Sequence, residues 1–429
     1  MAVFSVCRIF VIDFRCSFFF AGLKKLSGVC YIIRDSVFND FFDERICRMQ
    51  YRTLGKTGLQ VSEIGFGAEW LGPHSDEECM TLFKMCEDSG INIVDCWMPD
   101  PGIRSKIGRG IHANREKWIV QGHFGSLWIN NQYERARDLP RVKVAFEDLL
   151  TRLQTDYIDL GMIHYVDDEK EFEYILSSDY LKYIQDQKAA GVIRHIGMST
   201  HNAAIGKLAV EQGLVEMILF SINPAFDLLP PGQVSVDHVT EDMVFGGCKI
   251  DPTRQEFYQL CQQENVGLTV MKGYAGGRLF DAQRSPFGVP LTPVQCIHYA
   301  LTRPAVASVL TGFETVEQLR QALEYCSATD EEKDFVPALE KASHNSYVGQ
   351  CTYCGHCLPC PKNIDIAMVN KLYDLAVIHN DLPDSLREHY RNLQVHADAC
   401  VQCHACESRC PFGVKIADRM VKAADLFRK

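Results

Sequence analysis

The chain has 429 residues, of which 47% are hydrophobic and 23% charged, and its formal net charge is −11. That composition supplies a large core and excludes disordered, collagenous and coiled-coil proteins. The acidic balance offers no overall basic face for nucleic acid, and no run of eighteen uncharged apolar residues reads as a membrane span.

Residues 1–48 differ from the rest. They hold nine Phe and one Tyr without periodicity. Arg8, Asp13 and Arg15 interrupt the apolar stretch, so it does not read as a secretory signal. We expect an extension without a fold of its own, with Met49 as the natural start.

From Gln50 onward the pattern is regular. A short hairpin is expected at Tyr51–Leu54 and Leu59–Glu63, turning through Gly55–Gly58. Strand-like runs follow at Ile64–Gly67, Ile91–Asp95, Trp118–Gly122, Tyr157–His164, Ile193–Ser199, Glu216–Ser221, Gly267–Met271 and Ser308–Thr311. Helical patterns lie between them, at Asp76–Ser89, Tyr133–Arg152, Phe172–Ala189, Thr253–Glu264, Thr292–Thr302 and Thr315–Cys326. Eight β-α units point to an α/β protein, a closed (β/α)8 TIM barrel over residues 49–329. A doubly wound open sheet is the alternative, but no GxGxxG turn follows the first strand. Residues 330–349 read as a linker. Residues 350–429 form a small helical module, with Pro383 dividing Ile364–Leu393 into two helices and a last helix over Val414–Lys429.

Eight of the nineteen cysteines lie between Cys351 and Cys410. The first motif is Cys351, Cys354, Cys357 and Cys360 followed by Pro361. The second is Cys400, Cys403, Cys406 and Cys410 followed by Pro411. Three cysteines at steps of three, with a fourth before proline, is the ferredoxin spacing for a [4Fe–4S] cube. Structural zinc prefers paired C-x2-C knuckles held apart, which two unbroken triplets fit poorly. We therefore expect two [4Fe–4S] clusters. In two-cluster ferredoxins the fourth cysteine serves the other cluster, so Cys360 would complete the second and Cys410 the first. The remaining cysteines are scattered, which suits a reduced, cytoplasmic protein.

In a barrel, the C-terminal strand ends face the reaction cavity. Those ends carry Asp95, His123 and His164, then Ser199 and Thr200. A single buried His is usually a satisfied core residue; two His and an Asp on three successive strand ends point to chemistry.

The run YRTLGKTGLQVSEIGFG resembles the start of an aldo-keto reductase. DYIDLGMIHYVD resembles that family's strand with the active-site His, RHIGMSTHN its nicotinamide-amide loop, and TGFETVEQLRQAL its adenosine-phosphate loop. The likeness runs from about residue 50 to 328 and, with the cysteine tail, is to aldo-keto reductases fused to a 4Fe–4S dicluster domain. The resemblance implies a catalytic Asp, Tyr, Lys and His. Asp95 and His164 match; the Tyr position reads Asp100 and the Lys position His123. An ionised Asp is a poor proton donor, whereas a His serves as acid or base, so His164 or His123 is the candidate for proton transfer. The resemblance also implies NADP(H), through Ser199, Thr200, Gly312 and Gln318. Phe220 or Phe226 would stack on it, and Lys272 and Arg278 would meet phosphate or lie as solvated charges.

A hydride carries two electrons and an iron–sulfur cluster accepts one. No flavin motif is visible, and a flavin stays open as a splitter between them. Three functions follow. In the first, preferred one, the barrel is a redox enzyme whose clusters pass single electrons to or from a small-molecule substrate, a flavin or a redox protein partner. In the second, nicotinamide chemistry runs in the barrel and the clusters are structural or sensory. In the third, an inactive barrel carries a ferredoxin-like module. The loop Pro230–Lys249 is expected to shape the pocket, and its Asp237, His238, Glu241, Asp242 and Cys248 read as a solvated polar loop rather than a metal site.

Overall fold

The computed structural model describes residues 48–227, 252–339, 351, 355, 357–377, 382, 384–410 and 413–428. Residues 1–47, the expected loop at 230–249 and Cys354 lie outside them. A hairpin of β1 (Tyr51–Thr53) and β2 (Gln60–Ser62) comes first, with Tyr51 opposite Ser62. The strands β3 (Ile64–Gly67), β4 (Ile93–Cys96) and β5 (Ile119–Phe124) follow. A second hairpin is made by β6 (Ser126–Ile129) and β7 (Gln132–Arg135). Then come β8 (Ile158–Ile163), β9 (Ile193–Thr200), β10 (Met217–Ser221), β11 (Gly267–Met271) and β12 (Val306–Thr311).

Eight parallel strands close in the order β3, β4, β5, β8, β9, β10, β11, β12. The seam is β12 against β3, where Val309 faces Ile64. These strands are covered on both faces, which is why their sequences run apolar rather than alternating. Ile93, Ile119, Leu160, Met217, Leu219 and Leu310 fill the inside, joined by Leu54 and Val61 from the first hairpin, which closes the N-terminal end. The hairpin sits tightly there. At Gly55, with φ +50°, an added Cβ would fall 2.2 Å from the Gly267 nitrogen. A larger apolar layer lies between strands and helices and continues into the C-terminal module.

The structure departs from the sequence reading in three places. The helix expected over Tyr133–Arg152 runs Leu139–Leu153, started by an Asp138 cap and Pro140. Residues 126–135 form the second hairpin instead, turning on Asn130 and Asn131 at φ 51° and 60°, the two-residue turn that needs positive φ at both positions. The helix expected over Phe172–Ala189 is two, Glu169–Ser177 and Asp179–Ala189, broken at the extended Ser178. The start of the segment read as linker folds on the barrel: Asp330–Lys333 and Val336–Leu339 are helical turns, and Phe335 packs edge-on to Tyr299 at 5.0 Å.

In the C-terminal module, helices Ile366–Ala376 and Ile416–Arg428 pack together, with Asp384–Arg391 beside them. Arg419 joins the first two through Asn370 at 2.7 Å and Asp374 at 2.5 Å.

Candidate active site

A cavity of about 430 Å3 opens at the C-terminal end of the barrel, lined by Asp95, Trp97, His123, His164, Ser199 and His201. Parallel strands of matched register bring the first of these together: Asp95 is next to last in β4, His123 is next to last in the adjacent β5, and His164 follows β8. All three are buried.

They form one hydrogen-bonded row. His123 Nε2 lies 2.9 Å from Asp95 Oδ1, and His123 Nδ1 lies 2.9 Å from His164 Nδ1. His164 Nε2 lies 2.9 Å from the Tyr133 hydroxyl. Gln121 donates to Asp95 Oδ1 at 2.8 Å and accepts from Thr269 Oγ1 at 2.9 Å. The polarity follows from the ends. An ionised Asp95 only accepts, so His123 Nε2 carries a proton. A neutral His123 then accepts at Nδ1, so His164 donates from its Nδ1 and accepts at Nε2 from Tyr133. A row so aligned can move a proton along its length by switching each bond in turn.

Trp97 stacks on His164 with centroids 5.8 Å apart and planes 9° apart, and donates to Glu69 at 2.6 Å. Ser199 Oγ accepts the Tyr165 N–H at 2.7 Å. Asp167 holds the loop after β9 by accepting from Thr200 Oγ1 at 2.9 Å and from the His201 N–H at 2.7 Å. Burial pushes the Asp167 carboxyl up, but the His201 imidazole 2.9 Å away and the donated hydrogen bonds outweigh it and leave the group below its usual range.

Other expected residues are placed variously. Lys272, Gly312 and Gln318 line the cavity. Asp100 does not: its carboxylate caps the helix Pro101–His112 by accepting the Ile103 N–H at 2.9 Å. Thr200 is held by Asp167, away from the lining. Arg278 is not a solvated charge and does not line the cavity. It is buried and donates to the Cys351 carbonyl. Phe220 and Phe226 are buried off the cavity, Phe220 against Phe257 with centroids 4.7 Å apart.

The cysteine module reaches the same cavity. Lys371, from its first helix, joins the lining and stands 5.6 Å over the Trp70 ring. Gly355, inside the first cysteine motif, faces Trp97, whose Cη2 would lie 4.0 Å from an added Cβ. Within the module, Cys360, Cys400, Cys403 and Cys406 surround one hollow walled by Ile364, Ile366, Ala417 and Met420. Burial, with Glu407, Cys400 and Cys360 nearby, pushes the Cys406 thiol up to about 11. Arg409 ties the second motif to the first by donating to the carbonyls of Cys357 at 2.8 Å and Pro359 at 2.7 Å. Among the described residues, no three His, Cys, Asp or Glu side chains converge where a single ion would sit. A cube asks for something else, four soft thiolates spread around a hollow, and that donor set is present.

A sequence profile described as the Aldo/keto reductase family matches residues 63–292. The chain belongs to this family. A second profile, the 4Fe-4S dicluster domain, matches residues 350–415. Among relatives of this aldo/keto reductase, the uncharacterized oxidoreductase YqkF of Bacillus subtilis is 27% identical over 72% of the chain and 99% of its own length. L-galactose dehydrogenase of Arabidopsis thaliana is 26% identical over 64% of the chain and 87% of its own. A solved aldo-keto reductase from Bacillus halodurans, in its holo form, shares the fold with a TM-score of 0.53 and 22% identity, covering 70% of this chain and 98% of that one. The family and its relatives make the protein an oxidoreductase carrying a 4Fe–4S domain.

The sequence reading missed Tyr133, Gln132 and Trp97. Tyr133 opened the stretch read as helix and Gln132 stood just before it; the Asn130-Asn131 pair ahead of both was the available signal of a hairpin.

Proposed function

We propose that this aldo/keto reductase couples a small-molecule redox site in the barrel to two [4Fe–4S] clusters in the C-terminal module. The observation that carries the reading is the seating of the cysteine module on the reaction face, where Lys371 lines the cavity and Gly355 stands against the cavity tryptophan Trp97. Cys360 with Cys400, Cys403 and Cys406 would hold one cluster. Cys351, Cys354, Cys357 and Cys410 would hold the other. When bound, such clusters supply or accept electrons one at a time.

The barrel's own residues would handle the protons. Asp95 orients His123 and His123 orients His164, so the imidazole pair is the acid–base element in place of the family's Tyr and Lys. NADP(H) is a second reading, favoured by Ser199, Lys272, Gly312 and Gln318 all lining the one cavity. Against it, Thr200 and Arg278 have other partners. A flavin in this cavity, or a redox protein docking near the clusters, would meet the one-electron requirement equally.

Anaerobic purification followed by iron and sulfide analysis, electron paramagnetic resonance after reduction and extraction of bound cofactors tests the reading. About eight irons per chain and a reducible cluster signal are expected. An iron-free, colourless protein, or one that holds zinc, overturns it. Extracted NADP(H) with turnover that survives iron loss would favour the second reading.

A further inference from the structure

The hairpin of β6 and β7 stands between the active-site row and a cysteine loop. Neighbouring residues of a strand point to opposite sides, and here they serve different partners. Tyr133 points into the barrel, its hydroxyl 2.9 Å from His164 Nε2 and its ring edge-on to Trp97 with centroids 5.4 Å apart. Gln132 points the other way. Its Oε1 accepts the Cys360 N–H, and its Nε2 donates to Asn363 Oδ1 at 2.9 Å. Both side chains are buried.

We infer that Tyr133 is a positioning residue for His164 and that Gln132 ties it to the cysteine module, so that the hairpin transmits the docking of that module to the active-site histidine. The chemistry suits the role. His164 uses Nδ1 on His123 and Nε2 on Tyr133, so the ring's orientation is set from both ends. A hydroxyl donates to a neutral imidazole and, after rotating, accepts from a protonated one, so it supports His164 in either state. Without the hydroxyl, the buried His164 Nε2 loses this hydrogen bond. Gln132 fixes where that hydroxyl stands, because its two hydrogen bonds fasten β7 to the loop of Cys360. The inference draws its catalytic meaning from the proton role proposed for His164, but the contact itself is open to test without turnover.

The test uses the full-length, iron-loaded chain under anaerobic conditions. Histidines are carbethoxylated with diethyl pyrocarbonate and the label is followed peptide by peptide with mass spectrometry. Tyr133→Phe keeps the ring and removes the hydroxyl. It is expected to raise the His164 labelling rate roughly three- to tenfold, as loss of one hydrogen bond implies. Gln132→Ala, which removes no group bonded to His164, is expected to raise the same rate. Gln132→Glu keeps an acceptor for the Cys360 N–H but loses the donor to Asn363, and is expected to raise the rate no more than Gln132→Ala does. His195 and His298, away from the hairpin, keep their rates in all variants, and so does the iron content. An unchanged His164 rate in Tyr133→Phe overturns the positioning role. An unchanged rate in Gln132→Ala overturns the link to the cysteine module. An iron-free parent protein would end the redox reading and leave the Tyr133 contact untouched; an unmoved label on iron-loaded variants would do the reverse.

Discussion

Asp100 occupies the place where the family resemblance calls for a tyrosine, yet its carboxylate is spent on a helix. It accepts the Ile103 N–H at 2.9 Å and starts Pro101–His112, with Pro101 at the first helical position. Losing such a cap typically costs about 1 kcal/mol. Asp100→Ala is therefore expected to lower the unfolding free energy by about that amount while leaving iron content and bound cofactor unchanged. Denaturant melts beside iron analysis check it. A loss of bound cofactor with stability intact would return Asp100 to the site. His123, at the other departure from the family pattern, sits 2.9 Å from Asp95, where a cation or a proton-carrying ring is the suitable neighbour of a carboxylate. The substitution thus exchanges an ammonium, which only donates, for an imidazole that can donate at one ring nitrogen and accept at the other.

At the scale of elements, the second hairpin is the piece that the barrel plan alone does not supply. Its turn places Asn130 and Asn131 at φ 51° and 60°, a conformation that asparagine tolerates and β-branched residues resist. Asn131→Val is expected to destabilise the hairpin by about 1–2 kcal/mol, and Asn131→Gly to be neutral or slightly stabilising. Amide exchange across Ser126–Arg135 reports the difference; equal protection in the two variants would mean that packing against the barrel and cysteine loop, not the turn, sets the hairpin. The same element shows where sequence reading stops. The eight barrel strands were legible because each is a run buried on both faces, and Asp95, His123 and His164 were legible because strand ends in a barrel point to one cavity. Tyr133 was not, since its stretch runs into a true helical pattern and only the paired asparagines break it. The burial of Arg278 was not legible, because nothing local announces its bond to a carbonyl 73 residues away. Long-range partners such as Gln132 with Asn363, 231 residues apart, are set by tertiary packing and leave no local trace.

Among the described residues, the chain is a barrel with a large core and a small module whose three helices are short. The barrel has its inner layer, its outer layer and a closed ring of strand pairs to hold it. The module depends on short helices, the Arg409 and Arg419 staples and whatever its thiols bind. Metal-bound modules of this kind draw folding free energy from the metal, because the unfolded chain offers no formed site. Stripping iron is therefore expected to act locally. Hydrogen exchange should speed up across the helices Ile366–Ala376 and Ile416–Arg428 and the loop from Cys357 to Ile364, while β4, β5, β8 and β9 keep their protection. Lys371 and Gln132 make contacts between the two parts and Gly355 faces Trp97, so the rims at Trp70, Trp97 and β7 should be the first barrel positions to loosen. A change confined to the helices, with those rims unmoved, would show the module resting on the barrel without bearing on its site. Loss of protection throughout the barrel would show the iron to be structural for the whole chain, which would shift weight from electron transfer to stability as the clusters' role.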